Sequence, residues 1–234
     1  MPSSIAAIEE MHSSGASAND IADHIAAAIA ARKLPPGTKL REEALSRLYH
    51  VSRTKIRAAL LILSKDKLIQ IVPDKGAFVS QPSEKESRDI FAARRIIEAA
   101  LAREFVAKAT PADYKMLEKH LKMERQALKG DHQVRSRLLG DFHVLLADVA
   151  GNGVLREMLR ELVARSSLIT MLYQSDRDAV CSSNEHASFL EAARAGDADL
   201  AARIMLEHLS HVEGALIFDG SAPHEKDLVS ALLK

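Results

Sequence analysis

Residues 19–33, NDIADHIAAAIAARK, set Ile21, Ile25 and Ile29 four positions apart behind an Asn-Asp start, the stripe of an amphipathic helix. The helix cannot run on through LPPGTKL, because Pro35 and Pro36 lack a backbone donor and Gly37 favours a turn. Two shorter periodic stretches follow. REEALSRLYH (41–50) gathers Ala44, Leu45 and Leu48 on one side, and VSRTKIRAALLILSKD (51–66) opens a third helix with Ser52 as its N-cap. Then the period changes. KLIQIVPDKGAFVSQ (67–81) holds two β-prone runs around Pro73-Asp74-Lys75-Gly76, where Pro fixes φ and Gly accepts positive φ, so a hairpin or wing is predicted.

After Gln81-Pro82-Ser83 the strand signals stop. Consecutive amphipathic helices are predicted over 84–108, 111–128, 132–150, 153–174, 183–195 and 198–217. The breaks between them fall at Thr110-Pro111, Gly130-Asp131, Gly151-Asn152-Gly153, the polar QSDRD and Gly196-Asp197. Residues 219–234 hold Gly220 and Pro223 and then a short helical pattern in EKDLVSALLK, to which the pattern gives no role. The chain is therefore expected to be mainly α, with an N-terminal winged helix–turn–helix carrying a small β-wing and then an all-α antiparallel bundle.

Composition narrows the function classes. With 234 residues and 47% hydrophobic positions the chain can bury a real core, and disorder is not expected. Cys181, the one cysteine, rules out an internal disulfide and a cysteine-built zinc site, and fits a reducing, cytoplasmic location. No stretch approaches the ~18 apolar residues that span a bilayer, and MPSSIAAIEEMHSSGAS lacks the basic start and apolar run of a secretion signal, so no membrane role is expected. Aromatic residues are only 4% and tryptophan is absent, which disfavours stacking platforms for single-stranded nucleic acid.

Lysine plus arginine balance aspartate plus glutamate at 32 each, yet the distribution is uneven: residues 34–80 hold nine cations against four acids, a local charge of +5. On a helical wheel at about 100° per residue, Ile56, Ala59, Leu60 and Leu63 share one face of the third helix, while Arg53, Thr54 and Arg57 share a separate arc. Guanidinium forks at a helix N-terminus reach guanine edges or phosphate oxygens, and a major groove of about 12 Å admits one helix. A solvated cationic helix end is the competing reading of the wheel.

The order helix, helix–turn–helix, wing shifts the balance. LPPGTKLREEALSRLYHVSRTKIRAALLILSKDKLIQIVPDKGAFVS (34–80) resembles the winged helix–turn–helix of the GntR transcription regulators through its LPPG turn, VSRT-x-x-R-x-A-L and G-A-F-V. The resemblance implies that Arg53, Thr54 and Arg57 contact double-stranded DNA from the recognition helix, and that Lys75 and Gly76 enter the neighbouring minor groove. The sequence departs from the family at Leu61 and Ile62, where polar or basic residues are usual; the pair is expected either to pack against the second domain or to weaken backbone contact.

The helical half resembles the FadR-like branch with its FCD ligand-binding domain, in RRIIEAALA (94–102), DFHVLLADVAGN (141–152) and NEHASFLEAARAGDADLAARIMLEHLSHVE (184–213). That family commonly holds a divalent metal with one Asp and three His. The histidines map to His143, His186 and His208; the aspartate position is Leu139, and Asp141 faces about 200° away from His143 on the helix. A three-histidine site of the Zn²⁺ or Ni²⁺ type is implied, with open positions for water or a ligand carboxylate. Arg94 is expected either to grip that carboxylate or to pair with Glu98 on the surface. Asn152 is read as an effector contact or a helix cap, and His211 as an outer partner or an exposed residue. The implied organisation is a flexible segment 1–16, a DNA-binding domain 17–80, a linker 81–83, an effector-binding and dimerisation domain 84–218 and a tail 219–234.

The leading expectation is a homodimeric regulator, a repressor by family habit, that reads a palindromic operator and responds to a small organic acid; two half-sites about one helical turn apart call for two readers. A metal-dependent enzyme finds no H-E-x-x-H spacing, phosphate loop or nucleophile elbow. A purely structural helical interaction protein leaves the basic winged segment unexplained.

Overall fold

The computed structural model describes residues 16–128, 130, 132–174, 176–218 and 228–233. The chain divides into two compact units, one holding the described residues up to Gln81 together with Leu228–Leu233, the other running from Pro82 to Phe218.

In the first unit, α1 (Ala18–Ala30) begins in a capping box: the Ser17 hydroxyl accepts from Asp20 N and the Asp20 carboxylate accepts from Ser17 N. Its isoleucine stripe is buried against α3 (Arg53–Lys65). Between them α2 (Glu42–Leu48) ends at Tyr49, whose buried hydroxyl bonds His24 Nδ1 of α1 at 2.8 Å. His50 takes the left-handed conformation (φ 52°) that turns the chain toward Ser52, the N-cap of α3. Ile56, Ala59, Leu60 and Leu63 are the buried face of α3, as the wheel predicts.

The wing is a three-stranded antiparallel sheet in the order β1 (Lys39–Leu40), β3 (Gly76–Val79), β2 (Ile69–Val72). At its tip Asp74 (φ 61°) and Gly76 (φ 98°) both carry positive φ, and Lys75 stands exposed between them. The two-residue β1, paired Lys39 to Phe78 and Leu40 to Ala77, is too short to show an alternation in the sequence.

The second unit is a helical bundle: α4 (Glu84–Lys108), α5 (Pro111–Ala127), α6 (His132–Ala150), α7 (Gly153–Tyr173), α8 (Asp176–Arg194) and α9 (Ala198–Gly214). The long α4 lies along α9 and also packs on α6 and α7. Phe105, Leu117, Phe142, Phe189 and Met205 form its principal core, with Leu101, Leu159 and Val163 in a second cluster. Helix α8 starts at Asp176, not at 183, and Ser182 and Ser183 within it are buried. Helix α9 ends at Gly214, after which Ile217 N bonds Tyr173 O.

Of the terminal expectations, the flexible segment 1–16 lies outside the described residues apart from Ala16, which is buried. Residues 219–227 of the tail also lie outside them. Residues Leu228–Leu233 form α10, which packs on α1 and α2 and buries Leu228, Ala231 and Leu232, so this part of the tail belongs to the first unit.

Candidate functional site

Each unit carries a site. In the first, Arg53, Thr54 and Arg57 are exposed on the opening turns of α3, and Lys75 and Gly76 are exposed at the wing tip. One acid of α2 engages this cationic group: Glu42 accepts from Arg57 Nε with both oxygens at 3.0 Å, and Arg53 Nε is 3.9 Å from Glu42 Oε2. Leu61 is 62% exposed on the same helix and Ile62 is partly exposed.

In the second unit, His143 of α6, His186 of α8 and His208 of α9 are all buried, and one potential ligand atom from each lies within 4.8 Å of the others. Each ring is held by a carboxylate at Nδ1. His143 Nδ1 bonds Glu98 Oε2 at 2.5 Å, His186 Nδ1 lies 3.1 Å from both oxygens of Glu124, and His208 Nδ1 bonds Glu185 Oε2 at 2.7 Å. An ionised carboxylate only accepts, so each Nδ1 carries a proton, and in a neutral ring that leaves Nε2 with its lone pair. Phe142 stacks on His186 with centroids 4.0 Å apart and holds that ring in plane.

This arrangement fits a metal ion. His186 Nε2 and His208 Nε2 face each other at 3.3 Å. Nitrogens bound tetrahedrally at about 2.0–2.1 Å from one Zn²⁺ stand roughly 3.3 Å apart, so the two rings already have the spacing of two ligands of one ion. Burial pushes the His143 imidazole down to about 3, outweighing the pull of Glu98. Burial likewise brings His208 to about 4 against the bond from Glu185. Both rings are therefore neutral at physiological pH, the form a metal needs. Burial alone would raise Glu98, but Arg94 and then His143 hold it at about 2. Glu124 is held at about 2 in the same way by His186 and His120.

The imidazoles line a cavity of about 60 Å³ whose wall also contains Arg94, Leu139, Gly140, Ser166 and Thr170. Arg94 is buried, with Nε on Glu98 Oε1 at 2.6 Å and Nη1 on the Ser166 hydroxyl at 2.9 Å, while its Nη2 has no hydrogen-bond partner. The Arg94–Glu98 pair of the second reading thus exists, but in the interior and not on the surface. Leu139 lines the cavity where the resemblance expects an aspartate, and Asp141 is exposed.

Asn152 is not part of this wall. Its Oδ1 accepts from Val154 N and Leu155 N and caps α7, which corrects the reading of Asn152 as an effector contact: the side chain is committed to orphan donors of the helix. His211 is exposed yet bonds Glu185 Oε1 at 2.5 Å, so both readings of it hold. The sequence reading had Glu98 only as a surface partner of Arg94, not as the carboxylate behind His143, and missed Glu124 and Glu185. A signal existed for the first two: Glu98 continues the buried α4 stripe Phe91, Arg94, Leu101, Phe105, and Glu124 continues Leu117, His120, Leu121 of α5.

Two family models match the chain. The model of bacterial regulatory proteins of the gntR family matches residues 17–79, and the FCD domain matches residues 89–211. The chain is 28% identical over 181 residues to the HTH-type transcriptional repressor RspR of Escherichia coli K12, covering 76% of this chain and 79% of that one. It is 25% identical to the HTH-type transcriptional regulator LutR of Bacillus subtilis, covering 79% and 94%. In fold it is similar to the crystal structure of a GntR regulator from Rhodococcus sp. RHA1, with a TM-score of 0.65 and 20% identity over 84% of this chain and 95% of that one.

Proposed function

The chain belongs to the gntR family of bacterial regulatory proteins, its winged reader followed by an FCD domain, and from that premise we propose that it is a cytoplasmic homodimeric repressor, released from a palindromic operator by a small carboxylate bound in the helical unit beside a divalent metal. That it is a DNA-binding transcription regulator modulated by a ligand of its C-terminal domain, and not an enzyme, follows from the family. No helix among the described residues is long and apolar enough to cross a membrane.

The observation that carries the proposal is the unpartnered Nη2 of buried Arg94, in the wall of the cavity that the three imidazoles line. A buried cation with an unused donor is costly unless an anion arrives, and a carboxylate satisfies it. His143, His186 and His208 would hold Zn²⁺ or Ni²⁺ through Nε2; the ion would supply a second positive centre for the same ligand. A repressor is supported by RspR, whose name describes one. A homodimer is supported by the two-half-site logic and by exposed Ile96 and Met158 on α4 and α7, two helices that pack together. Direct reading of DNA by Arg53, Thr54 and Arg57, with Lys75 and Gly76 at the wing, is supported by their shared exposure.

Two measurements test this. In a salt-dependent shift assay, Arg53→Ala and Arg57→Ala are expected to weaken sequence-selective DNA retention, and unchanged retention in both would overturn the reader. Metal analysis of protein purified without chelator is expected to give close to one equivalent, falling in His186→Ala and His208→Ala; less than about one-tenth of an equivalent in the parent would overturn the metal.

A further inference from the structure

Glu42 stands where an acid is least expected, against the two arginines of the DNA-reading helix. Its carboxylate takes Arg57 Nε on both oxygens at 3.0 Å and lies 3.9 Å from Arg53 Nε. Glu42 thus grips Arg57 by its Nε edge, with the bonds made there and not at the terminal Nη groups, while Arg53 lies only within ion-pair range. The other acids of residues 34–80 are Glu43, Asp66 and Asp74, and Glu43 is paired with Arg47. One carboxylate from α2 therefore holds Arg57 and stands close to Arg53, the two arginines that face outward from α3.

We infer that Glu42 is a specificity-setting positioning residue, which aims Arg57, and more weakly Arg53, for base contact and cancels part of the charge that would otherwise hold any DNA backbone. The inference rests on α3 being the reading helix. Bidentate guanine recognition needs a guanidinium plane held in one orientation, and a fixed Nε edge supplies that. Non-specific affinity comes from cations free to neutralise phosphates, and a carboxylate among them lowers that number. The two effects act together on the ratio of operator to non-operator affinity, which is the quantity a regulator depends on.

The test uses the full chain, a duplex that the parent protein selects from a randomised pool, and a scrambled duplex of the same composition. Glu42→Gln keeps the side-chain shape and removes the charge. It is expected to lower the operator-to-scrambled affinity ratio by about tenfold, the scale of one bidentate contact. It should also tighten binding to the scrambled duplex and steepen its log affinity against log salt by about one. In an Arg57→Ala background the same substitution should change the ratio little, because the partner it acts through is gone. If Glu42 served only as an acid at the first turn of α2, Glu42→Gln would shift thermal stability slightly and leave the ratio intact, and that result overturns the inference. A loss of ratio undiminished in the Arg57→Ala background overturns it as well. If the parent protein selects no sequence at all, the reader fails together with Glu42, so that failure is distinguishable from the others.

Discussion

Arg94 Nε lies 2.6 Å from Glu98 Oε1, one turn along α4, with both side chains buried, and the other oxygen of Glu98 takes His143 Nδ1 at 2.5 Å. One carboxylate thus ties a cation whose remaining Nη2 has no partner to a ring that offers a metal its Nε2. Removing the charge of Glu98 leaves Arg94 buried and uncompensated, which costs about 3–5 kcal/mol. Glu98→Gln is expected to lose that much in urea unfolding and to bind zinc ten- to a hundredfold more weakly, the usual effect of losing a carboxylate behind a ligating histidine. The double variant Arg94→Gln, Glu98→Gln removes both charges and is expected to recover much of the stability without recovering zinc affinity. A double variant no more stable than the single one would contradict the pairing.

The same buried groups make the helical unit acid-sensitive when it is stripped of metal. His143 falls to about 3 and His208 to about 4 when folded, against 6.5 when unfolded. The unfolded chain therefore binds more protons throughout that interval, and stability drops as pH falls from 6.5 toward 4. Glu98 and Glu124, held at about 2 against 4.5, add stability that is present above 4.5 and is lost as pH falls toward 2. His120 is raised despite its burial, by Glu124 and Leu138 O, and so runs the other way: its contribution is present below 6.5 and is lost as pH rises through its folded value. In chelator, urea midpoints are expected to decline steadily from pH 6.5 to about 4; a flat profile would show that the rings are not buried as neutral bases.

Much of this was legible in the chain. The α3 face of Ile56, Ala59, Leu60 and Leu63 came from period alone, because a helix packed on one side leaves an unambiguous stripe. The three histidines came from resemblance, but their carboxylates did not. Glu98 and Glu124 lie within apolar stripes, where an acid reads as an interruption; only tertiary partners explain why it is tolerated. The two-residue β1 carries no period at all, and α8 extends ahead of residue 183 through a stretch where the burial of Ser182 overrides its weak helix preference.

Gly140 shows why α6 and α7 come so close beside the cavity. A Cβ placed there would meet the Ser167 hydroxyl at 2.6 Å and Val163 Cγ1 at 2.9 Å, and although the hydroxyl can rotate, the valine is packed in the core. Gly140→Ala is expected to cost about 1–3 kcal/mol through overpacking. Adding Val163→Ala should return part of that loss, a coupling that thermal unfolding of the four proteins of the cycle would measure.

Leu232 tests the assignment of α10 to the first unit. It is 1% exposed on a helix that packs against α1 and α2, the elements that carry and brace the reading helix. A six-residue helix has little stability of its own, so α10 exists only because Leu228, Ala231 and Leu232 are buried. Leu232→Ala removes the most buried of the three and is expected to cost about 2–4 kcal/mol. Because cooperative units open separately, the loss should appear as faster amide exchange in α1, α2 and α3 with exchange in α4 to α9 unchanged. DNA affinity should then fall while zinc content stays constant. Faster exchange confined to α4 to α9 would mean that α10 braces the helical unit instead.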